Sequence, residues 1–353
     1  MTSDNLPEFN LAEPLKEYDF DIVLKKYDYY RISASKPFVS SIPVVKINNI
    51  SISTEGNITV LSGDSKSGKS ALCNVIIAGA ICPIGQNYDS FNNIVVEPNF
   101  QNKAVLHFDT EQSKQQHYKS MSKAILKRVD IDTEPAFYYS YNIRELDLLK
   151  YMTFCKDIFE ATFMKHGGIH LAVIDGAADF IKSVNDEEDS NNIVKFFEQL
   201  AINYKTSIIL IIHFNPKSEK QRGHLGSQLQ RKAESVLAIK KLNGISFIEP
   251  QLLRNGSNAD IPNIQFSFDE SKGYHTNCGI FKQISKEDEE KNSLITIAKS
   301  IFSDSPIRNN LAVENLATNL KIAKRTAELR LKRMVDLNIV SKSKDKFYTI
   351  INN

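Results

Sequence analysis

A chain of 353 residues, 42% hydrophobic and 24% charged, is longer than one domain usually runs and too rich in apolar residues for a disordered protein, so two domains are the expectation. No apolar run approaches a membrane span, residues 1–7 lack the basic and apolar regions of a signal peptide, and Cys73, Cys82, Cys155 and Cys278 form no C-x-x-C pair; membrane contact, a disulfide frame and a zinc site are excluded, and a cytoplasmic protein with reduced thiols is expected. The net charge of +2 is unevenly spread, since residues 291–353 hold 12 Lys and Arg against 5 Asp and Glu while residues 1–290 hold 32 against 37, which gives either a basic C-terminal module that meets a polyanion or a solvated lysine surface.

Residues 1–45 are mixed, with an acidic and aromatic stretch over 17–30 and prolines at 37 and 43. They read as a lead-in that packs on the core or on a neighbouring subunit. Gly56 and Asn57 make a turn, and the apolar run 58–61 is a strand. The next residues, Gly63-Asp64-Ser65-Lys66-Ser67-Gly68-Lys69-Ser70, match G-x-x-x-x-G-K-[ST] at every fixed position, and an apolar helix follows from Ala71. Glycine lets the backbone wrap phosphates closely, and the N–H groups of residues 63–71 at a helix start face their charge. Lys69 is expected to reach the β- and γ-phosphates of ATP, and the Ser70 hydroxyl to ligate Mg²⁺.

Residues 87–102 read as a polar loop and edge. The strand 104–108 ends in Asp109-Thr110-Glu111-Gln112, acidic residues where a parallel sheet binds ligands. Met121, Ile125 and Val129, four apart, predict a helix over 113–129. A short strand is expected at 137–140 and a helix over 144–164. The β-branched run 169–174 ends in Asp175, placed to hold Mg²⁺ as a Walker B carboxylate. An acidic loop over 176–190, a helix over 191–204 and a buried strand over 207–212 follow, the last ending at His213.

To this point strands alternate with helices, the pattern of a parallel sheet covered on both faces. Then a hairpin (236–241 and 245–249) and a strand at 264–268 put antiparallel strands on one edge. The charged stretch 283–292 reads as a linker. Helices over 293–302, 313–320 and 323–337, with Ala327, Leu331, Met334 and Val335 inward, precede strands at 339–341 and 347–351 around a lysine-rich tip. Three helices and a hairpin form a winged helix-turn-helix, whose Lys324, Arg325 and Arg330 suit phosphate contacts with duplex DNA. The other use of such a fold is protein contact.

In order, Gly63–Ser70, the 107–112 stretch, 172–175, His213 and Arg222-Gly223-His224-Leu225-Gly226-Ser227 resemble RecA-fold P-loop ATPases, an AAA family ATPase kind, and within them the RepA-type and DnaB-like hexameric replicative helicases. The resemblance spans residues 46–280. It implies an ATPase domain over 46–282 of α/β, RecA-like fold with a mostly parallel sheet, ahead of the 283–292 linker and the 293–353 winged helix read from composition and element pattern. It implies that Glu111 polarises the attacking water and that His213 senses the γ-phosphate, although a lone strand-end histidine can equally be structural. It places a basic loop over 216–232, with Lys217, Lys220, Arg222, Arg231 and Lys232, against single-stranded DNA in the channel of a homohexameric ring, without the aromatic residue many such loops stack on bases. Arg254-Asn255-Gly256 resembles the arginine-finger motif that acts on the neighbouring subunit, but Leu252 stands where the family has lysine. The implied activity is a replicative or mobile-element DNA helicase. A DNA-binding ATPase that serves as switch or loader is the alternative, and a small-metabolite kinase is disfavoured by the basic tail.

Overall fold

The computed structural model describes residues 20–38, 40–213, 223–281, 286–302 and 305–351. Its strands are β1 (Pro43–Ile47), β2 (Ile50–Thr54), β3 (Ile58–Gly63), β4 (Ile94–Val96), β5 (Ala104–Asp109), β6 (Tyr138–Asn142), β7 (Ile169–Asp175), β8 (Ser207–His213), β9 (Ser235–Leu242), β10 (Ile245–Leu253), β11 (Ile264–Asp269), β12 (Tyr274–Ile280), β13 (Ile307–Arg308), β14 (Val340–Lys342) and β15 (Phe347–Ile350). Nine of them form the central sheet in the order β12-β11-β10-β9-β3-β8-β7-β5-β6. The pairings from β9 through β6 are parallel, and β9-β10, β10-β11 and β11-β12 are antiparallel. The expected α/β architecture, mostly parallel with an antiparallel edge, is what the chain adopts.

Strands β3 and β8 carry apolar side chains on both faces because helices cover both. On one side lies the helix Lys69–Ile81, buried almost throughout, which is why its apolar residues run all round it. On the other side lie Tyr151–His166, Glu187–Tyr204 and Gly223–Lys232. A small antiparallel sheet, β2-β1-β4, packs on the first side. Its strands take up the end of the expected lead-in and the middle of the expected 87–102 loop.

Several boundaries differ from the sequence expectation, each for a local reason. The helix expected over 113–129 is α-helical only at Lys114–Lys119, then π-helical over Ser120–Leu126 and 3₁₀ to Val129. The upper half of the expected 216–232 loop is the helix Gly223–Lys232, because Leu225 and Leu229, one turn apart, bury on the sheet. Gly223 starts it at φ +66, where a Cβ would lie 2.3 Å from the Val184 carbonyl oxygen. The helix Lys286–Ile301 begins inside the stretch expected to be linker.

The C-terminal residues build their own core. Helices Lys286–Ile301, Asn309–Leu320 and Lys324–Asp336 pack with a three-stranded sheet, β13-β15-β14, around Leu294, Phe302, Leu316, Leu331, Met334 and Tyr348. Ala327, Leu331 and Met334 are buried as the spacing requires, and Val335 is half-buried. Among the described residues no helix is long and apolar enough to cross a membrane.

Candidate active site

Four adjacent parallel strands, β5, β7, β8 and β3, end together, and their last residues are Asp109, Asp175, His213 and Gly63. Asp109 is level with Asp175 and Gly63 is level with His213 in the ladder. The Gly63–Ser70 loop leaves from this edge. Gly63 lies against β9 so closely that a Cβ would stand 2.3 Å from the Ile239 carbonyl oxygen. Gly68, at φ +108 and pressed on Phe266 and Ser246, starts the helix. The helix N-terminus therefore opens into the cleft with its N–H groups unspent on side-chain caps.

Lys69 is buried, and its Nζ donates to the carbonyl oxygens of Gly63 (3.0 Å) and Asp64 (2.7 Å) and to His213 Nδ1 at 3.2 Å. An ammonium can only donate, so Nδ1 accepts and the other ring nitrogen carries the proton toward Glu111 Oε1, 2.9 Å away. Burial holds Lys69 below the usual lysine value, while the Glu111 and Asp175 carboxylates pull it up. Three residues proposed from sequence for separate roles, Lys69, His213 and Glu111, thus form one hydrogen-bonded chain. On its far side Ser70 Oγ donates to Asp175 Oδ2 at 3.0 Å.

These residues fit ATP and Mg²⁺. The Ser67 hydroxyl is buried in the loop without a hydrogen-bond partner, and Ser70 and Asp175 present two oxygens side by side. Magnesium held there would neutralise phosphate charge.

Asp175 is almost fully buried, and burial pushes its carboxyl up to about 7, with Asp109 and Glu111 adding to the rise and the Ser70 hydroxyl and Lys69 opposing it. A carboxyl held above its unfolded value contributes most below about pH 4, and that contribution is lost as pH rises through about 7. Asp175→Asn, which cannot ionise, is therefore expected to melt above the wild type at pH 8 without nucleotide or Mg²⁺. The gap should widen from about pH 4 to about pH 7 and reach the order of a few kcal/mol. A gap that stays constant across this range in thermal melts would refute the assignment.

The sequence reading missed the frame behind Glu111. Asp109 Oδ1 accepts from the backbone N–H groups of Glu111 (2.9 Å) and Gln112 (2.8 Å), and Oδ2 accepts from the Gln112 amide and His117 Nδ1. Burial pushes Asp109 up, but His117 and the Gln112 N–H outweigh it and hold the carboxyl below its usual value. Behind it, burial and His117 push His107 down to about 3, so that ring is neutral. One ligand atom each from His107, Asp109 and Asp175 lies within 4.8 Å of the others, but both Asp109 oxygens are already taken by donors, so the cluster is a hydrogen-bond frame for the Glu111 turn and not a cation cage. Thr110 stitches the same edge, its hydroxyl bonding Asp179 at 2.7 Å and the Asp175 carbonyl at 3.1 Å. The capping box of Ser113 and Gln116, which starts the next helix, was the legible signal that this turn is fixed.

Other expected site residues lie apart from the cleft. Lys217, Lys220 and Arg222 fall outside the described residues. Arg231 and Lys232 end the helix Gly223–Lys232, Lys232 3.4 Å from Glu198 and Arg231 bonded to Gln228. Arg254 donates from Nε to the Ala233 carbonyl (2.9 Å) and from Nη2 to the Arg231 carbonyl (2.6 Å), so it caps the end of that helix within the same chain, while Asn255 bonds the buried Glu234. In the C-terminal unit Lys324 and Arg325 are exposed at the start of their helix, and Arg330 is half-buried.

A phosphate loop at the carboxyl ends of a parallel sheet, with a lysine, a strand-end carboxylate and a second acid beside it, defines a P-loop nucleoside triphosphatase site. Residues 47–219, just under half of the chain, match the AAA domain family. The matched stretch contains the loop, Glu111, Asp175 and His213, and it supports nucleotide binding and hydrolysis by this domain. No curated protein matches the chain.

Proposed function

We propose that the chain is an ATP-hydrolysing, RecA-like motor that acts on DNA, a replicative or mobile-element helicase working as a homohexameric ring. The observation that carries this reading is the chain from Lys69 through His213 to Glu111. His213 touches the phosphate-binding lysine and the hydrolytic acid, and in sequence it directly precedes the segment that bears Lys217, Lys220 and Arg222. A change in how Lys69 is held is thereby felt at the start of the basic segment.

Glu111 takes the proton of the attacking water, Lys69 balances the charge that builds on the phosphates, and Ser70 with Asp175 would hold Mg²⁺. His213 occupies Glu111 until phosphate draws Lys69 off the Gly63 and Asp64 carbonyls, so hydrolysis waits for a bound nucleotide. Arg254 serves a neighbouring subunit only if it leaves its two carbonyl partners, which ties the finger to movement of the basic helix. The C-terminal helices and sheet act as the winged helix for duplex DNA.

Strand displacement on a forked duplex, by the full chain with ATP and Mg²⁺, tests the motor. ATP-dependent displacement is the expected result. Hydrolysis stimulated by single strands without displacement would leave a switch or loader instead. Replacing Lys324, Arg325 and Arg330 together by alanine is expected to weaken duplex binding and to flatten its salt dependence by about one in slope for each phosphate no longer neutralised, with basal ATPase kept. An unchanged salt slope would assign this unit to protein contact.

A further inference from the structure

Resting on the nucleotide-site reading, we propose that the slot between the π-helical turn Ser120–Leu126 and the hairpin of β11 and β12 holds a purine base, stacked on Phe268. The cleft that begins at Lys69 and Ser70 has a volume of about 540 Å³ and continues past Ala71 and Asn74 to Phe268 and His275. That is the size of a small-molecule site, and the phosphate loop fixes only one end of it.

Phe268 is 54% exposed, and an exposed aromatic alone means little. What distinguishes this one is how it is held. His275 is its cross-strand partner, with ring centroids 5.5 Å apart and planes at 77°. Two residues back on the same face, Phe266 is buried and stacked on Phe91 at 4.8 Å. Phe266 also presses on Gly68, so the aromatic ladder runs from the phosphate loop to the mouth of the cleft. Burial holds His275 below the usual histidine value, with Lys241 and Arg128 adding to the effect, so the slot disfavours a charged ring there.

The two walls are fastened to each other. Arg128, buried just after the π-helical turn, donates to the carbonyl oxygens of His275 (2.7 Å) and Asp89 (2.8 Å), and its guanidinium lies 4.2 Å from the Tyr274 ring centre. Lys127 donates to the Lys272 carbonyl at 2.9 Å. A buried arginine spent on holding a strand end to a helix end sets the slot width before a ligand arrives, which lowers the ordering cost of binding. The π-helical winding, uncommon and frequent at functional sites, brings Ser120, Lys123 and Ala124 to the same cleft. Stacking depends on ring area, so ATP and GTP should bind alike and CTP more weakly.

The test is equilibrium titration of the full chain with ATP, CTP and inorganic tripolyphosphate, each with Mg²⁺. The expected result is that Phe268→Ala weakens ATP by about tenfold, as for other base–aromatic stacks, while tripolyphosphate affinity is unchanged and Phe268→Tyr restores ATP binding. Equal ATP affinity in Phe268→Ala and wild type, or an equal loss for ATP and tripolyphosphate, overturns the slot. Wild-type protein that binds ATP no better than tripolyphosphate also overturns the slot but leaves the nucleotide site standing. Binding of neither ligand overturns the nucleotide site, and the slot with it.

Discussion

Lys69→Ala protein is expected to fold and to lose ATP turnover by about 10²–10³ or more, the effect of removing one preorganised group that stabilises transition-state charge. The reason it should fold lies in its partners. The Nζ of Lys69 bonds two loop carbonyls and an imidazole, and it is buried at a cost that lowers its own proton affinity. Removing it leaves the Gly63 and Asp64 oxygens short of a donor, a penalty of about 1–3 kcal/mol each at most, and also relieves the burial of a cation. Fold and turnover are therefore separable in this variant, by thermal melting and by phosphate release. Wild-type turnover in folded Lys69→Ala protein would falsify the catalytic assignment of the loop. The variant also releases His213, so the Glu111 side chain loses the arrangement that ties it to the phosphate end of the cleft.

Glu111→Gln should separate binding from chemistry. The amide keeps the shape and can still meet His213, but it cannot accept a proton from water, and loss of a general base costs on the order of 10²–10⁴ in rate. Nucleotide affinity should hold, because Glu111 lies on the strand-end turn and not in the phosphate loop. Single-turnover hydrolysis beside equilibrium nucleotide binding measures both. Normal turnover would move the base elsewhere, yet Asp109 is a poor substitute, since it is fully buried and both its oxygens accept from donors of the Glu111 turn and from His117. Asp109 acts by positioning that turn.

Much of the site was legible because its residues sit on the strongest sequence signals. The run Ile58–Gly63, the G-x-x-x-x-G-K-S loop and the apolar helix after it leave little choice of fold. The apolar strands that end at Asp109 and Asp175 are level in one sheet, and the neighbouring strand runs two residues further to His213, level with Gly63. What escaped depends on contacts far apart in sequence. Phe268 read as an ordinary strand residue and the strand bearing His275 was not anticipated, and only the pairing of β11 with β12 and the fastening by Arg128 bring the two to the cleft. The bond of His117 to Asp109 crosses a strand-to-helix turn. The π-helical winding of Ser120–Leu126 has no periodicity of its own, because Met121, Ile125 and Val129 satisfy an ordinary helix equally well. Arg254 resembled a finger motif in sequence, yet its guanidinium is bonded at the end of the helix Gly223–Lys232 of the same chain.

The most direct test of the coupling between hydrolysis and DNA is the steady-state rate of ATP hydrolysis by the full chain with Mg²⁺, measured with and without single-stranded DNA. Slow hydrolysis alone and a marked rise when single-stranded DNA is added are the expected results, because His213, bonded to Glu111, directly precedes the basic segment in sequence. Hydrolysis at one rate in both conditions would contradict the coupling of the hydrolytic site to DNA, and no hydrolysis in either would contradict the site itself.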